Sequence, residues 1–93
     1  MEKSLFTEDY QTLIRMLREA REQAGASQVD LAARLGTTQS LISKCERNER
    51  RLDAIELRRW VLELGLSFPE FLQQFEATVQ QKKPKHTRTS RRT

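Results

Sequence analysis

The stretch Ser27-Gln28-Val29-Asp30-Leu31-Ala32-Ala33-Arg34-Leu35-Gly36-Thr37-Thr38-Gln39-Ser40-Leu41-Ile42-Ser43-Lys44-Cys45-Glu46-Arg47 decides how this chain folds. Ser27 offers a side-chain oxygen to the first amides of a helix from Gln28 to Leu35, whose apolar side reads as Val29, Leu31, Ala32 and Leu35. Gly36 follows as the left-handed residue that closes it. Thr38 then caps a helix from Gln39 to about Arg47, with Ile42 and Cys45 inward and Leu41 at the edge. Ala32 is small where crossing helices approach closely, and Ile42 is branched where the gap between them needs filling. Two capped helices joined by three residues, with these side chains in register, specify a helix-turn-helix.

Working outward, Thr7-Glu8-Asp9 reads as the start of a preceding helix, with a hydroxyl cap and carboxylates at the positive end of its dipole. Leu13, Ile14, Leu17, Ala20 and Ala24 line one face of it, and Gly25 follows its end. Beyond Arg47, Asn48 suits a left-handed turn. Asp53 caps a fourth helix carrying Leu57, Trp60, Val61 and Leu64, stopped by Gly65. Ser67 caps a fifth with Pro69 in its first turn and Phe68, Phe71, Leu72 and Phe75 on its apolar side. No strand is expected. The reading is an all-α, five-helix domain over residues 1–79, with residues 80–93 a disordered basic tail.

Composition agrees with one small domain. The 93 residues leave no room for a second core, and 37% hydrophobic with 32% charged residues suits a helical globule rather than a disordered chain. No apolar run reaches the roughly 20 residues that span a bilayer. The N-terminus lacks a secretory signal's apolar stretch, and a single cysteine, Cys45, points to a reducing cytoplasm. The net charge of +4 misleads as a guide to a basic face. Six of the 17 basic residues lie between Lys82 and Arg92, so the body carries 11 basic against 13 acidic residues. His86 is the only histidine and falls in the tail, so no catalytic or metal constellation, and no cofactor, is expected.

From Tyr10 to Gln73 the chain resembles the phage-repressor/Cro family, the xenobiotic-response-element-like regulators whose domain is lambda-repressor-like. The resemblance rests on Leu17-Arg18-Glu19-Ala20-Arg21 before Gly25, on Ser27-Gln28-Val29-Asp30-Leu31-Ala32, and on Gly36-Thr37-Thr38-Gln39-Ser40-Leu41-Ile42-Ser43-Lys44. It continues through Glu46, Glu49-Arg50-Arg51-Leu52-Asp53 and Leu64-Gly65-Leu66-Ser67. It implies that the helix beginning near Gln39 enters the major groove, presenting Thr38, Gln39, Ser40, Ser43 and Lys44 to base edges. Gln39 suits adenine, and Lys44 suits guanine or a phosphate. Ser27 and Gln28, beside the exposed amides of a helix N-terminus, would hold backbone phosphate. Arg50, Arg51, Arg15 and Arg18 are further phosphate candidates. Arg21 and Glu46 match positions that pair structurally in the family. Two positions depart from its pattern: Asn48 stands where many members have glycine, and Cys45 where a larger apolar residue is common.

One such module touches few bases, so a homodimer is expected, with recognition helices about one DNA turn (~34 Å) apart on a pseudo-palindrome. Leu62, Phe68 and Phe75 are its candidate contact residues. The function implied is a sequence-specific transcriptional regulator, most simply a bacterial or phage repressor acting on double-stranded DNA. The alternative is an antitoxin-like or adaptor protein whose fourth and fifth helices hold a protein partner. The tail reads as an electrostatic tether, a DNA-contacting arm, or a solubilising end.

Overall fold

Gly36 and Asn48 stop the two central helices, and both adopt the left-handed backbone, with φ of +71° and +66°. At Gly36 the amides of Gly36 and Thr37 turn back to the carbonyls of Ala33 and Ala32. At Asn48 the amides of Asn48 and Glu49 do the same to Cys45 and Lys44. Each turn thereby satisfies carbonyls that a helix end leaves unpaired. Asn48 is the only non-glycine residue at positive φ among the described residues, as its short polar side chain permits.

The computed structural model describes residues 2–82, with side chains described from residue 8 to residue 81. Five helices follow in order: α1 (Glu2–Gln23), α2 (Gln28–Leu35), α3 (Gln39–Glu46), α4 (Ala54–Glu63) and α5 (Phe68–Lys82). No strand occurs among the described residues. The caps expected on α2 to α5 act where the sequence places them. Ser27 and Asp30 form a reciprocal capping box on α2, as do Asp53 and Glu56 on α4. Thr38 accepts from the Leu41 amide, and Ser67 from the Glu70 amide.

Ile14, Leu17, Leu31, Ala32, Ile42, Cys45, Trp60, Val61, Leu64 and Phe71 form one buried core with Ala26. Leu31, Leu17, Val61 and Cys45 have no exposed surface. At the usual few kcal/mol per fully buried large side chain, this core is what holds the helix pair at its angle. Cys45 is smaller than its neighbours, and a cleft of about 260 Å³ opens beside it, lined by Leu35, Leu41, Ile42, Leu52, Ile55 and Trp60. Burial pushes the Cys45 thiol above its ordinary pKa, against the opposing pull of the Arg50 guanidinium.

Four expectations need correction. Helix α1 begins at Glu2, not at Thr7, because no glycine or proline interrupts residues 2–23. Val29 is 63% exposed, since it lies about 200° around the helix from Leu31 and off the apolar side. Ala24 is also exposed, and Ala26, in the turn beyond Gly25, is buried in its place. Helix α5 continues past Val79 to Lys82, as Gln80 and Gln81 are good helix formers with no breaker before Pro84. The rest of the basic tail, residues 83–93, lies outside the described residues.

Candidate nucleic-acid interface

The interface grows from a buried ion pair. Arg21, near the end of α1, and Glu46, in the last turn of α3, both fall below a tenth exposed. Arg21 Nε donates to Glu46 Oε2 at 2.7 Å and Nη2 donates to Oε1 at 2.9 Å, a two-pronged match of planar groups. Nη1 donates to the Ala26 carbonyl at 2.9 Å, so the guanidinium also ties down the α1–α2 turn. The hydrogen bonds to Glu46 hold the Arg21 pKa above its ordinary value, outweighing desolvation.

A polar relay leads outward from this pair. Gln28 Nε2 donates to Glu46 Oε1 at 2.9 Å, and Gln39 Nε2 donates to Gln28 Oε1 at 2.7 Å. The first residue of α2 therefore braces the first residue of α3 against a buried carboxylate. Gln39 spends one of its two amide hydrogens on this brace. Its Oε1 and second N–H remain, one acceptor and one donor, which is the pattern complementary to adenine in the major groove.

The other candidates divide by what already engages them. Ser40 and Lys44 are exposed on α3. Thr38 and Ser27 are exposed, but their oxygens accept cap hydrogen bonds, from the Leu41 amide at 3.2 Å and the Asp30 amide at 3.0 Å. The Thr38 hydroxyl hydrogen remains as a donor, whereas that of Ser27 is turned to the Asp30 carboxylate. Asp30 sits at the same end of α2, its pKa lowered by hydrogen bonds from the Ser27 amide and hydroxyl. Ser43 Oγ accepts a hydrogen bond from Arg47 Nη1.

Arg50 is placed otherwise than the sequence suggests. Its guanidinium grips Glu56, at 2.9 and 3.2 Å, and donates to the Arg51 carbonyl at 3.0 Å. These bonds make it a strap between the turn after α3 and the start of α4. Arg51 stacks over the Tyr10 ring at 4.1 Å from its centroid, while the Tyr10 hydroxyl accepts from the Leu52 amide at 2.9 Å. Arg15 and Arg18 lie on α1, Arg15 beside Glu19 at 3.8 Å and Arg18 exposed.

Sequence reasoning passed over Arg47 altogether. It stands four residues beyond Ser43, at the C-terminal cap of α3, and both its Nε and Nη2 donate to Glu49, at 3.0 and 3.1 Å. The i+4 spacing from Ser43 was the available signal. Of the expected contact residues on α4 and α5, Leu62 is 42% exposed, Phe75 is half-buried, and Phe68 packs against the core. Leu66 is 41% exposed, and Leu72, read from sequence as part of the apolar side of α5, is 37% exposed.

No helix among the described residues is long and apolar enough to cross a membrane, and none of their acidic, cysteine or histidine side chains cluster as a metal site. Comparison with known proteins agrees with the geometry. A helix-turn-helix family model matches residues 17–71, more than half of the chain. A solved XRE-family like protein from Pseudomonas syringae pv. tomato str. DC3000 superposes with a TM-score of 0.79 at 43% identity. The match covers 83% of this chain and 94% of that one. A search of curated proteins gave no match. Buried pair, braced glutamines, five-helix fold and family match converge: this chain belongs to the phage-repressor/Cro, XRE-like family of helix-turn-helix DNA-binding regulators.

Proposed function

We propose that this regulator acts as a repressor, laying α3 in the major groove of an operator with Gln39 as its principal base-reading residue. The observation that carries the reading is the relay from Arg21 through Glu46 and Gln28 to Gln39. It pre-orders one amide at the tip of the helix, so the cost of fixing that side chain is met on folding rather than on binding. Lys44 reaches guanine or a phosphate, and Ser40, Ser43 and Thr38 make short or water-bridged contacts. Ser27, Gln28 and the amides opening α2 hold one phosphate, with Arg51, Arg15 and Arg18 as further phosphate contacts. Arg50 serves structure instead, through Glu56.

The working form is a homodimer. Leu62, Leu66 and Leu72, each about two-fifths exposed, with the open edge of Phe75, form its contact surface, while Phe68 supports it from the core. The basic tail tethers the domain to DNA of any sequence, so ending the chain after Lys82 weakens all duplexes similarly and flattens the salt slope. Selecting bound fragments from random DNA tests the whole reading: a pseudo-palindromic motif is expected, and Gln39→Ala abolishes its recovery while circular dichroism stays unchanged. Failure of the folded protein to enrich any motif would overturn it.

One observation favours the adaptor reading as a second role. Ile55 is 67% exposed at the rim of the cleft beside Cys45, apolar surface that a protein partner would cover. Ile55→Glu would then leave DNA binding intact and abolish partner recovery from the native host.

A further inference from the structure

An acidic side chain, Glu49, stands at the end of α3, the helix proposed above to meet DNA, and the backbone sets it there. Asn48, in the left-handed conformation, turns the chain so that the Glu49 amide donates to the Lys44 carbonyl at 2.8 Å. The turn folds Glu49 back over the last turn of α3. Its two carboxylate oxygens take the Nε and Nη2 hydrogens of Arg47, while Arg47 Nη1 lies on Ser43. All of these donors are those with which an arginine grips a phosphate. The pair is about half exposed on both sides, so water and counter-ions reach it and it exchanges readily. The hydrogen bonds and charge of Arg47, with a smaller contribution from Lys44, hold the Glu49 carboxyl below its ordinary pKa, so the competitor is charged at neutral pH.

We infer that Arg47 is a DNA-phosphate contact and that Glu49 is its built-in competitor, occupying the guanidinium in the free protein and yielding it to the duplex on binding. The inference rests on the DNA-binding reading above. In physical terms Glu49 imitates a phosphate. Each encounter with DNA must break one ion pair before it forms another, and the displaced carboxylate is left facing the polyanion. The penalty is the same for every base sequence, because phosphates carry no sequence. Glu49 therefore lowers the grip on bulk DNA, and the base contacts of Gln39 and Lys44 must make up the difference at a true site.

The test needs no operator. Affinity of wild type, Glu49→Gln, Arg47→Ala and the double variant is measured on one random-sequence duplex across about 50–200 mM salt. Glu49→Gln is expected to tighten binding about two- to five-fold at the low-salt end. Arg47→Ala makes the slope of log affinity against log salt shallower by about 0.9, the value of one lost phosphate contact. The tightening by Glu49→Gln disappears when Arg47 is already alanine. Unchanged affinity in Glu49→Gln, or an unchanged slope in Arg47→Ala, would overturn the inference while leaving the DNA reading standing. Tightening that persists in full without Arg47 would also overturn it, since simple repulsion would then explain the gain. If folded wild type binds no duplex at any salt, the DNA reading fails and takes this inference with it.

Discussion

Replacing Arg21 by alanine removes three hydrogen bonds, two to Glu46 and one to the Ala26 carbonyl. It leaves the Glu46 carboxylate with a side chain only 3% exposed and the Gln28 amide as its neighbour. Breaking one side of a buried pair costs about 3–5 kcal/mol, because the remaining charge keeps its desolvation penalty without its partner. A domain of this size has roughly 5–15 kcal/mol in all, so about a fifth or more of its stability is at stake. With each kcal/mol worth about 4–8 °C in a domain of up to 100 residues, the midpoint should drop by at least about 12 °C. Urea melts followed by circular dichroism give the free energy, and an unchanged m-value shows that the same surface unfolds. The double change Arg21→Met with Glu46→Leu should recover most of the loss, because an apolar pair carries no desolvation penalty. It should not recover DNA binding, because Gln28 then has no carboxylate to brace against. A cost below about 1 kcal/mol for Arg21→Ala, the range of exposed pairs, would refute the reasoning.

Gln28→Ala should weaken specific binding even if Gln28 touches no base, and its effect should not add to that of Gln39→Ala; a double-mutant cycle on the selected DNA site measures the coupling. Asn48→Val should lose about 1–2 kcal/mol from left-handed strain, whereas Asn48→Gly should change stability by less than about 1 kcal/mol, both read from thermal melts. Cys45 should resist a thiol reagent in the native protein and react at the rate of unfolding, because its thiol is buried and its pKa raised. In acid, the Glu56 carboxyl is held below its ordinary value of 4.5, first by hydrogen bonds from Arg50 and then by the Asp53 amide. A depressed folded pKa means stability that is present above about pH 4.5 and lost as pH falls through the folded value. Urea melts between pH 5 and about pH 2 should show that loss, and Glu56→Gln should make it shallower.

The parts of this fold legible in the sequence are those set by fixed local offsets. A capping residue meets an amide three positions on, so Ser27, Thr38 and Asp53 announce their helices before any tertiary contact is known. Asn48 was readable for a related reason, since few residues tolerate its backbone conformation. What stayed hidden depends on distance in space. Arg50 and Glu56 are six residues apart across a turn, a spacing that belongs to no helical period, and so Arg50 looked like surface charge. The bond between Gln28 and Gln39 joins two helices whose crossing had to be known first. Arg21 and Glu46 were found through family resemblance, and the structure supplied their burial and their link to Gln28. Phe68 was ambiguous because an aromatic at a helix start serves a core or a contact surface equally well.

The relay also divides the recognition helix by how freely it can change over generations. Gln39 is held by Gln28, and through it by a pair on which folding depends. Ser40 and Lys44 lie on exposed turns of the same helix, outside that chain of bonds. If α3 reads bases as proposed, substitutions at these two positions should retarget the protein to new operators with little effect on its melting point. A library randomised at Ser40 and Lys44 should yield mostly folded proteins with altered preferences, whereas one randomised at Gln28 should be poor in binders of any kind. On that proposal, within a helix of two turns, Gln39 is held constant by the fold while Ser40 and Lys44 are the adjustable alphabet.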